Sequence, residues 1–391
     1  MSNGVAAGET DRVRVVICPD KFAGTLSAPE AAECIAAGWA EVAPGDELLR
    51  KPLADGGTGF VDVVAEAVAG TRLPVKTCDP LGRPVDGEVL VSGDTAYVES
   101  AQACGLHLLT DAERDPKRTT SYGLGLLVAA AVEAGARRVV IGLGGSATND
   151  GGAGMLTALG APPLDEAGLA LPYGGAALLV CRGLGGAPQL RGVQLVATTD
   201  VDHPLLGIHG ASAVFGPQKG ADRDDVLLLD RALETFAEVL RRELPGCPPD
   251  LETLPGSGAA GGIGAALYAL GGVRESGIDL VKRLTGLDAA VRAADLVVTG
   301  EGSFDFQSLR GKVVAGVAVT AAGHGVPCVV LAGQVSVGRR EAAAAGIAEA
   351  YAVADHVGGV TEALRRPDAG LRSLAAHVAG QWSRQIGQKA E

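Results

Sequence analysis

The sequence predicts an α/β fold of many short strand–helix units, on three observations. Hydrophobic residues make up 47% of the 391 residues but aromatics only 3%, so the core has to be assembled from Ala, Val and Leu. Fifty-eight glycines make the chain turn often. Short apolar runs of strand length alternate with Ala-rich stretches of helical length, which is the pattern of βα units. A chain of this size accommodates two domains or one large α/β unit.

The elements follow in order. Arg14-Val15-Val16-Ile17-Cys18-Pro19 reads as a first strand ending at Asp20-Lys21. Ser27 followed by Glu30 has the form of a capping box and starts an Ala-rich helix over 28–42. Ala54-Asp55-Gly56-Gly57-Thr58-Gly59 is a polar turn before a helix at 60–68. Alternating apolar positions over 73–98 predict antiparallel strands that open a different subdomain. A helix over 122–134 leads to the apolar run Arg138-Val139-Val140-Ile141, a buried parallel strand, and Val193–Thr198 reads as a further strand ending at Thr199-Asp200. An amphipathic helix covers 224–244, and Pro255–Gly264 is a second glycine-rich run opening a helix. Strands at 295–300 and 328–333 end at Glu301 and Gln334, and a helix from Leu371 closes the chain.

The most informative stretch is Ile141–Met155, IGLGGSATNDGGAGM, with six glycines after a predicted strand. Glycine lets backbone N–H groups approach a ligand closely, and such groups ahead of a helix N-terminus bind anions. A tight turn whose glycines serve geometry alone is the alternative. In open α/β sheets ligands sit beyond the carboxyl ends of parallel strands. The turns at Asp20, Asp55, Glu301 and Gln334 are therefore expected on one rim and those at Asn149 and Asp200 on another, with a cleft between two domains.

Composition excludes several classes. A formal charge of -13 and the lack of a basic stripe argue against a nucleic-acid surface. No apolar run reaches the roughly 18 residues of a membrane span, and the N-terminus lacks a basic, apolar leader. Seven scattered cysteines with no zinc spacing predict reduced thiols and a cytoplasmic protein. Three glycine-rich turns with acidic residues at strand ends suggest a phosphoryl donor with Mg2+, which takes oxygens from one or two carboxylates and from phosphates. Gly311-Lys312 is followed by Val313, so there is no Walker A motif.

Taken together, Pro19-Asp20-Lys21-Phe22 with Leu26-Ser27-Ala28, Ala54–Gly57, Gly142–Gly154, Gly210–Gly220, and Gly300-Glu301-Gly302 with Asp305, Gln307 and Gly311-Lys312 resemble the bacterial glycerate kinase family of type I, in the family's order and over about residues 13–380. The resemblance implies ATP-dependent phosphorylation of D-glycerate, on the 2-hydroxyl to give 2-phosphoglycerate, by a two-domain enzyme. It implies a Rossmann-like parallel-sheet domain from 1–75 and 290–391, and an inserted α/β domain over 76–289 carrying the glycine-rich loops. ATP and Mg2+ are the implied cofactors, with D-glycerate as the small-molecule partner, no nucleic acid or membrane, and a monomer or homodimer as the state.

Carried over by position, Asp20, Asp55, Asp200 and Lys312 are the candidate catalytic residues, with Asp200 also the candidate Mg2+ ligand. Lys21, Gly144, Gly145, Ser146, Asn149, Asp150, Lys219, Glu301, Asp305 and Gln307 are the candidate substrate or phosphate contacts. The chain departs from the family at Ala23, Thr58, Ser303 and Phe306. Each candidate has a structural alternative. Asp20 and Asp55 can cap the following helices, Asn149 and Asp150 can satisfy their own loop as Asx turns, Lys219 and Lys312 can be solvated loop lysines, and Glu301 can pair with an arginine.

Overall fold

The computed structural model describes residues 12–22, 24–309 and 313–390. The chain forms two compact units, one from the segments up to Ala54 and from Val281 onward, the other from Asp55–Leu280. Strand β1 (Arg14–Ile17) and β2 (Glu47–Arg50) open the first unit. The second contains β3 (Thr71–Cys78), β4 (Pro84–Ser92), β5 (Thr95–Glu99), β6 (Arg138–Gly142), β7 (Pro163–Leu164), β8 (Gly183–Leu184), β9 (Gln194–Thr198) and β10 (Val273–Glu275). The chain then returns to the first with β11 (Leu296–Phe304), β12 (Cys328–Val335) and β13 (Glu349–Ala352).

In the first unit the five strands run in the order β13-β12-β11-β1-β2, every pair parallel. Strands of such a sheet are covered on both faces, which is why Val15, Val16 and Ile17 form a continuous apolar run with no exposed surface. The capping box forms as the sequence predicts: Ser27 Oγ accepts from the Glu30 amide at 3.3 Å and Glu30 accepts from the Ser27 amide at 2.8 Å, starting the helix Ala28–Val42. That helix crosses the last one, Pro367–Ala390, at Gly38, where a Cβ would lie 2.0 Å from the Arg372 carbonyl oxygen. No side chain larger than hydrogen permits that crossing. The core around it joins Ile35 and Trp39 to Leu371, Leu374 and Val378.

The second unit has a six-stranded sheet, β10-β9-β6-β5-β4-β3. Strands β10, β9, β6 and β5 are mutually parallel, and β5, β4 and β3 form an antiparallel meander. The change in pattern read at 73–98 is this meander. Strand β5 belongs to both arrangements, so its carboxyl end, Glu99, joins those of β6 and β9. The core is Ala-, Val- and Leu-rich, with Phe236 its largest fully buried aromatic apart from Phe60.

The structure differs from expectation in three places. Strands β11 and β12 continue past Gly300 and Gly333, because Glu301 pairs with Ala332, and Ser303 with Gln334. Glu301 and Gln334 thus lie within strands and not in turns after them. Residues 55–75 pack in the second unit, held there by the helix Phe60–Ala67, whose first amides bond to Glu99 of β5. The final helix begins at Pro367, four residues ahead of the expected Leu371.

Candidate functional site

In the second unit the candidate residues gather at the carboxyl ends of β5, β6 and β9. Two glycine loops meet there backbone to backbone. A Cβ on Gly142 would stand 2.4 Å from the Gly56 carbonyl oxygen, and one on Gly144 would stand 2.6 Å from the Gly57 Cα. Gly56 in turn would press a Cβ to 2.9 Å from the Thr198 carbonyl oxygen at the end of β9. These glycines therefore exist for loop-to-loop contact. Gly145 is different: its φ of +69° and exposed position turn the loop outward. The amides of Gly144 and Gly145 donate to no backbone acceptor among the described residues, which leaves them as donors for an anion.

Asp55 and Asp200 face the same place. Asp200 Oδ1 accepts from Ser276 Oγ at 2.6 Å and from the Gly277 amide at 3.0 Å, while Oδ2 accepts from the Ile278 amide at 3.0 Å. Ser276 in turn accepts from the Asp279 amide at 3.2 Å, the N-cap geometry of the helix Gly277–Thr285. Burial lifts the Asp200 carboxyl above its ordinary value, against the pull of the donors from Ser276, Ile278 and Gly277 and with a further push from the Asp55 charge. Asp55 Oδ1 accepts from the Gly57 amide at 3.0 Å. Only glycine fits at 277, since a Cβ there would meet the Asp55 carbonyl oxygen at 2.3 Å and Asp200 Oδ2 at 3.1 Å. Asp55 lies beside Asp200 because its loop docks on Gly142.

The Ser146–Asp150 part of the loop turns inward. Asp150 is fully buried. Its Oδ2 accepts from the Ser121 amide and hydroxyl, both at 2.8 Å, and from the Gly154 amide at 3.1 Å, while Oδ1 accepts from the Gly152 amide at 3.1 Å. Burial raises its pKa, and these donors from Ser121, Gly154 and Gly152 lower it. The carboxylate is thus occupied with joining two helix starts, Tyr122 and Ala153. Asn149 donates to Ser212 Oγ at 2.9 Å, while its Oδ1 and the Thr148 hydroxyl are buried with no partner among the described residues. Lys219, read as a loop lysine or an anion contact, is buried, and its Nζ donates to the Thr148 carbonyl at 2.6 Å and the Ser146 hydroxyl at 3.1 Å. The run 255–264 buttresses this loop from behind: Gly261 accepts from the Gly151 amide at 3.0 Å, and a Cβ on it would fall 1.9 Å from the Thr148 carbonyl oxygen.

Glu99 and Ser276 were missed by the sequence reading. Glu99, buried at the end of β5, accepts from the Gly59 and Val61 amides at 3.1 and 3.3 Å. A polar residue at a strand's carboxyl end is the signal that identified Asp200, and it applied equally to Val98-Glu99-Ser100.

The first unit holds a second group. The Asp20 amide donates to the Gly300 carbonyl at 2.8 Å, setting Asp20 and Lys21 beside the strand that carries Glu301. Asp20 and Glu301 are both buried, and Lys21 Nζ stands 3.9 Å from Asp20 Oδ1. Asp305 forms an Asx turn, accepting from the Gln307 amide at 2.7 Å, with Gln307 and Phe306 exposed. Lys312 and Ala23 lie outside the described residues. Among the described residues no group of three or more His, Cys, Asp or Glu is arranged to hold a metal ion. Paired carboxylates completed by phosphate oxygens still match the needs of Mg2+.

Comparison with known proteins finds relatives along nearly the whole chain. The model of the glycerate kinase family matches residues 15–383. A glycerate kinase of Halalkalibacterium halodurans is 39% identical over 93% of this chain and 97% of that protein. A glycerate 2-kinase of Escherichia coli strain K12 is 40% identical over 90% of this chain and 93% of its own length. A crystal structure of a Salmonella typhimurium LT2 protein assigned to glycerate kinase 2 superposes with a TM-score of 0.80 at 39% identity, covering 97% of this chain and all of that one. Strand-end carboxylates beside glycine loops, and similarity along nearly the whole length, lead to one conclusion: the chain belongs to the glycerate kinase family and is an enzyme, a phosphotransferase with an alcohol group as acceptor.

Proposed function

We propose that the enzyme transfers the γ-phosphoryl group of ATP to the 2-hydroxyl of D-glycerate, giving 2-phosphoglycerate. The observation that carries this is the pairing of Asp55 and Asp200 at the carboxyl ends of parallel strands, next to unspent amides at Gly144 and Gly145. Phosphoryl transfer is catalysed chiefly by positioning and charge neutralisation, and the site has a part for each.

Asp200, fixed by three donors, would hold Mg2+ with Asp55 alongside. Two neighbouring carboxylates, one with a raised pKa, gain from a divalent cation between them and the phosphates. The ion, when bound, neutralises charge on the transferring group. Asp55, whose contact with Gly57 uses one oxygen, accepts the proton of the attacking hydroxyl with the other. Gly144 and Gly145 orient an anionic group through their amides, and Asn149 offers Oδ1 as an acceptor. Asp150 keeps this loop folded. Asp20, Lys21, Glu301, Asp305, Gln307 and Lys312 form the nucleotide or acceptor contacts of the first unit. The seven free thiols fit a reducing, cytoplasmic compartment.

The name of the Escherichia coli relative supports the 2-hydroxyl as acceptor. Incubation with Mg-ATP and D-glycerate, followed by phosphorus NMR of the product, tests the reading. A 2-phosphate resonance is expected. A 3-phosphate would reverse the acceptor's pose, and no transfer would remove D-glycerate as the substrate.

A further inference from the structure

The turn Gly216–Gly220 carries Lys219 into the interior, where it is 2% exposed. Its two hydrogen bonds go to the Thr148 carbonyl and the Ser146 hydroxyl. No carboxylate oxygen among the described residues lies within ion-pair distance, and the oxygens of Asp150 are taken by Ser121, Gly152 and Gly154. An ammonium group carries three N–H donors and an uncharged amine two. In the structure Nζ is in hydrogen-bond contact with two acceptors. Burying a charge with no carboxylate in direct contact and no third hydrogen bond costs more than burying the neutral amine.

We propose that Lys219 is a positioning residue that works as an uncharged amine, tying Ser146 and Thr148 to the Gly210–Gly220 segment and so fixing the glycine loop that presents the Gly144 and Gly145 amides. The role of those amides rests on the phosphotransfer reading above; the tie itself does not. It runs opposite to the usual part of a lysine near a phosphate site, which is to supply positive charge.

Burial pushes the Lys219 pKa down to about 7, with the Asp150 charge pulling it up. Asp150 faces it from the loop, and Cys104 from the helix Ala101–Cys104, where burial keeps the thiol protonated. Ser146 and Thr148 contribute neutral groups. Protonation therefore adds a donor beyond the two contacts Nζ makes and loosens the loop as pH falls through about 7.

The first test needs no variant and no substrate. Amide hydrogen exchange of peptides covering 144–150 in the full-length enzyme, corrected for intrinsic rates, should lose about tenfold in protection from about pH 8 to about pH 6. Peptides from β1 and β11 should not change in parallel. Lys219→Gln, which keeps two uncharged donors, should show pH-independent protection and lose the acid limb of kcat/KM. Lys219→Arg, always charged, should be impaired at every pH. Protection that is flat with pH in the wild type overturns the proposal. So does a Lys219→Arg enzyme of normal activity beside a Lys219→Gln enzyme whose KM alone rises, because that pattern marks a cation facing the substrate. Failure of phosphotransfer to D-glycerate would leave the exchange result intact, so the two readings fall separately.

Discussion

Asp200 accepts three hydrogen bonds from the start of the helix Gly277–Thr285, so its position is set by backbone and by Ser276 before any substrate arrives. The donors that cap this helix also fix the carboxylate that we propose holds Mg2+. Asp200→Asn keeps an oxygen for the cap but removes the charge. Its kcat should drop about a hundredfold or more, while stability falls by about 1–2 kcal/mol because one capping donor loses its acceptor, as steady-state kinetics beside denaturant titration would show. Normal turnover would take Asp200 out of the site. Asp150, two places along from Thr148, behaves in the opposite way. Its oxygens serve Ser121, Gly152 and Gly154 in the interior, so Asp150→Ala strands those donors and should cost on the order of 3 kcal/mol or more. A urea midpoint equal to that of the wild type would refute this. Both aspartates were visible in the sequence as strand-end or loop acids, yet nothing in their spelling separates the one that faces the site from the one that is buried.

At the level of elements, the loop Gly142–Gly145 depends on how closely it meets Ala54–Gly59. Gly144→Ala places a Cβ 2.6 Å from the Gly57 Cα, so the loops must separate. We expect about a 10- to 100-fold loss of kcat/KM from misplaced groups with a stability cost of about 1–3 kcal/mol. Kinetics and a thermal melt of the same preparation decide it: a normal kcat/KM would show that the contact is dispensable. The helices at 28–42, 60–67, 122–133 and 223–243 were readable because capping residues and apolar periodicity are local signals. The ends of β11 and β12 were not. Their glycines look like turn residues, whereas in the sheet Gly300 and Gly333 supply close approach: a Cβ on Gly300 would lie 2.0 Å from the Leu331 carbonyl oxygen and one on Gly333 2.4 Å from that of Gly302. The same residue type serves turns and tight pairing, and only the neighbour across the sheet distinguishes them.

For the whole molecule, Asp55–Leu280 is one continuous segment with its own core, while the other unit is assembled from two separated pieces. The excised segment 55–280 should fold alone, with a cooperative thermal transition and a near-ultraviolet circular dichroism spectrum. A non-cooperative melt without that spectrum would show that its stability depends on the rest of the chain. What the sequence determined by itself was the α/β class, the positions of most helices and strands, and membership of a kinase family, because periodicity, capping and long motifs are written in adjacent residues. What the tertiary structure alone decided was company. Asp55 joins Asp200, Glu99 joins the helix Phe60–Ala67, Lys219 turns inward to Ser146 and Thr148, and the run 255–264 becomes a buttress. Those partners lie tens to hundreds of residues apart in the chain, and their meeting depends on backbone approach distances, which a residue's identity permits but does not specify.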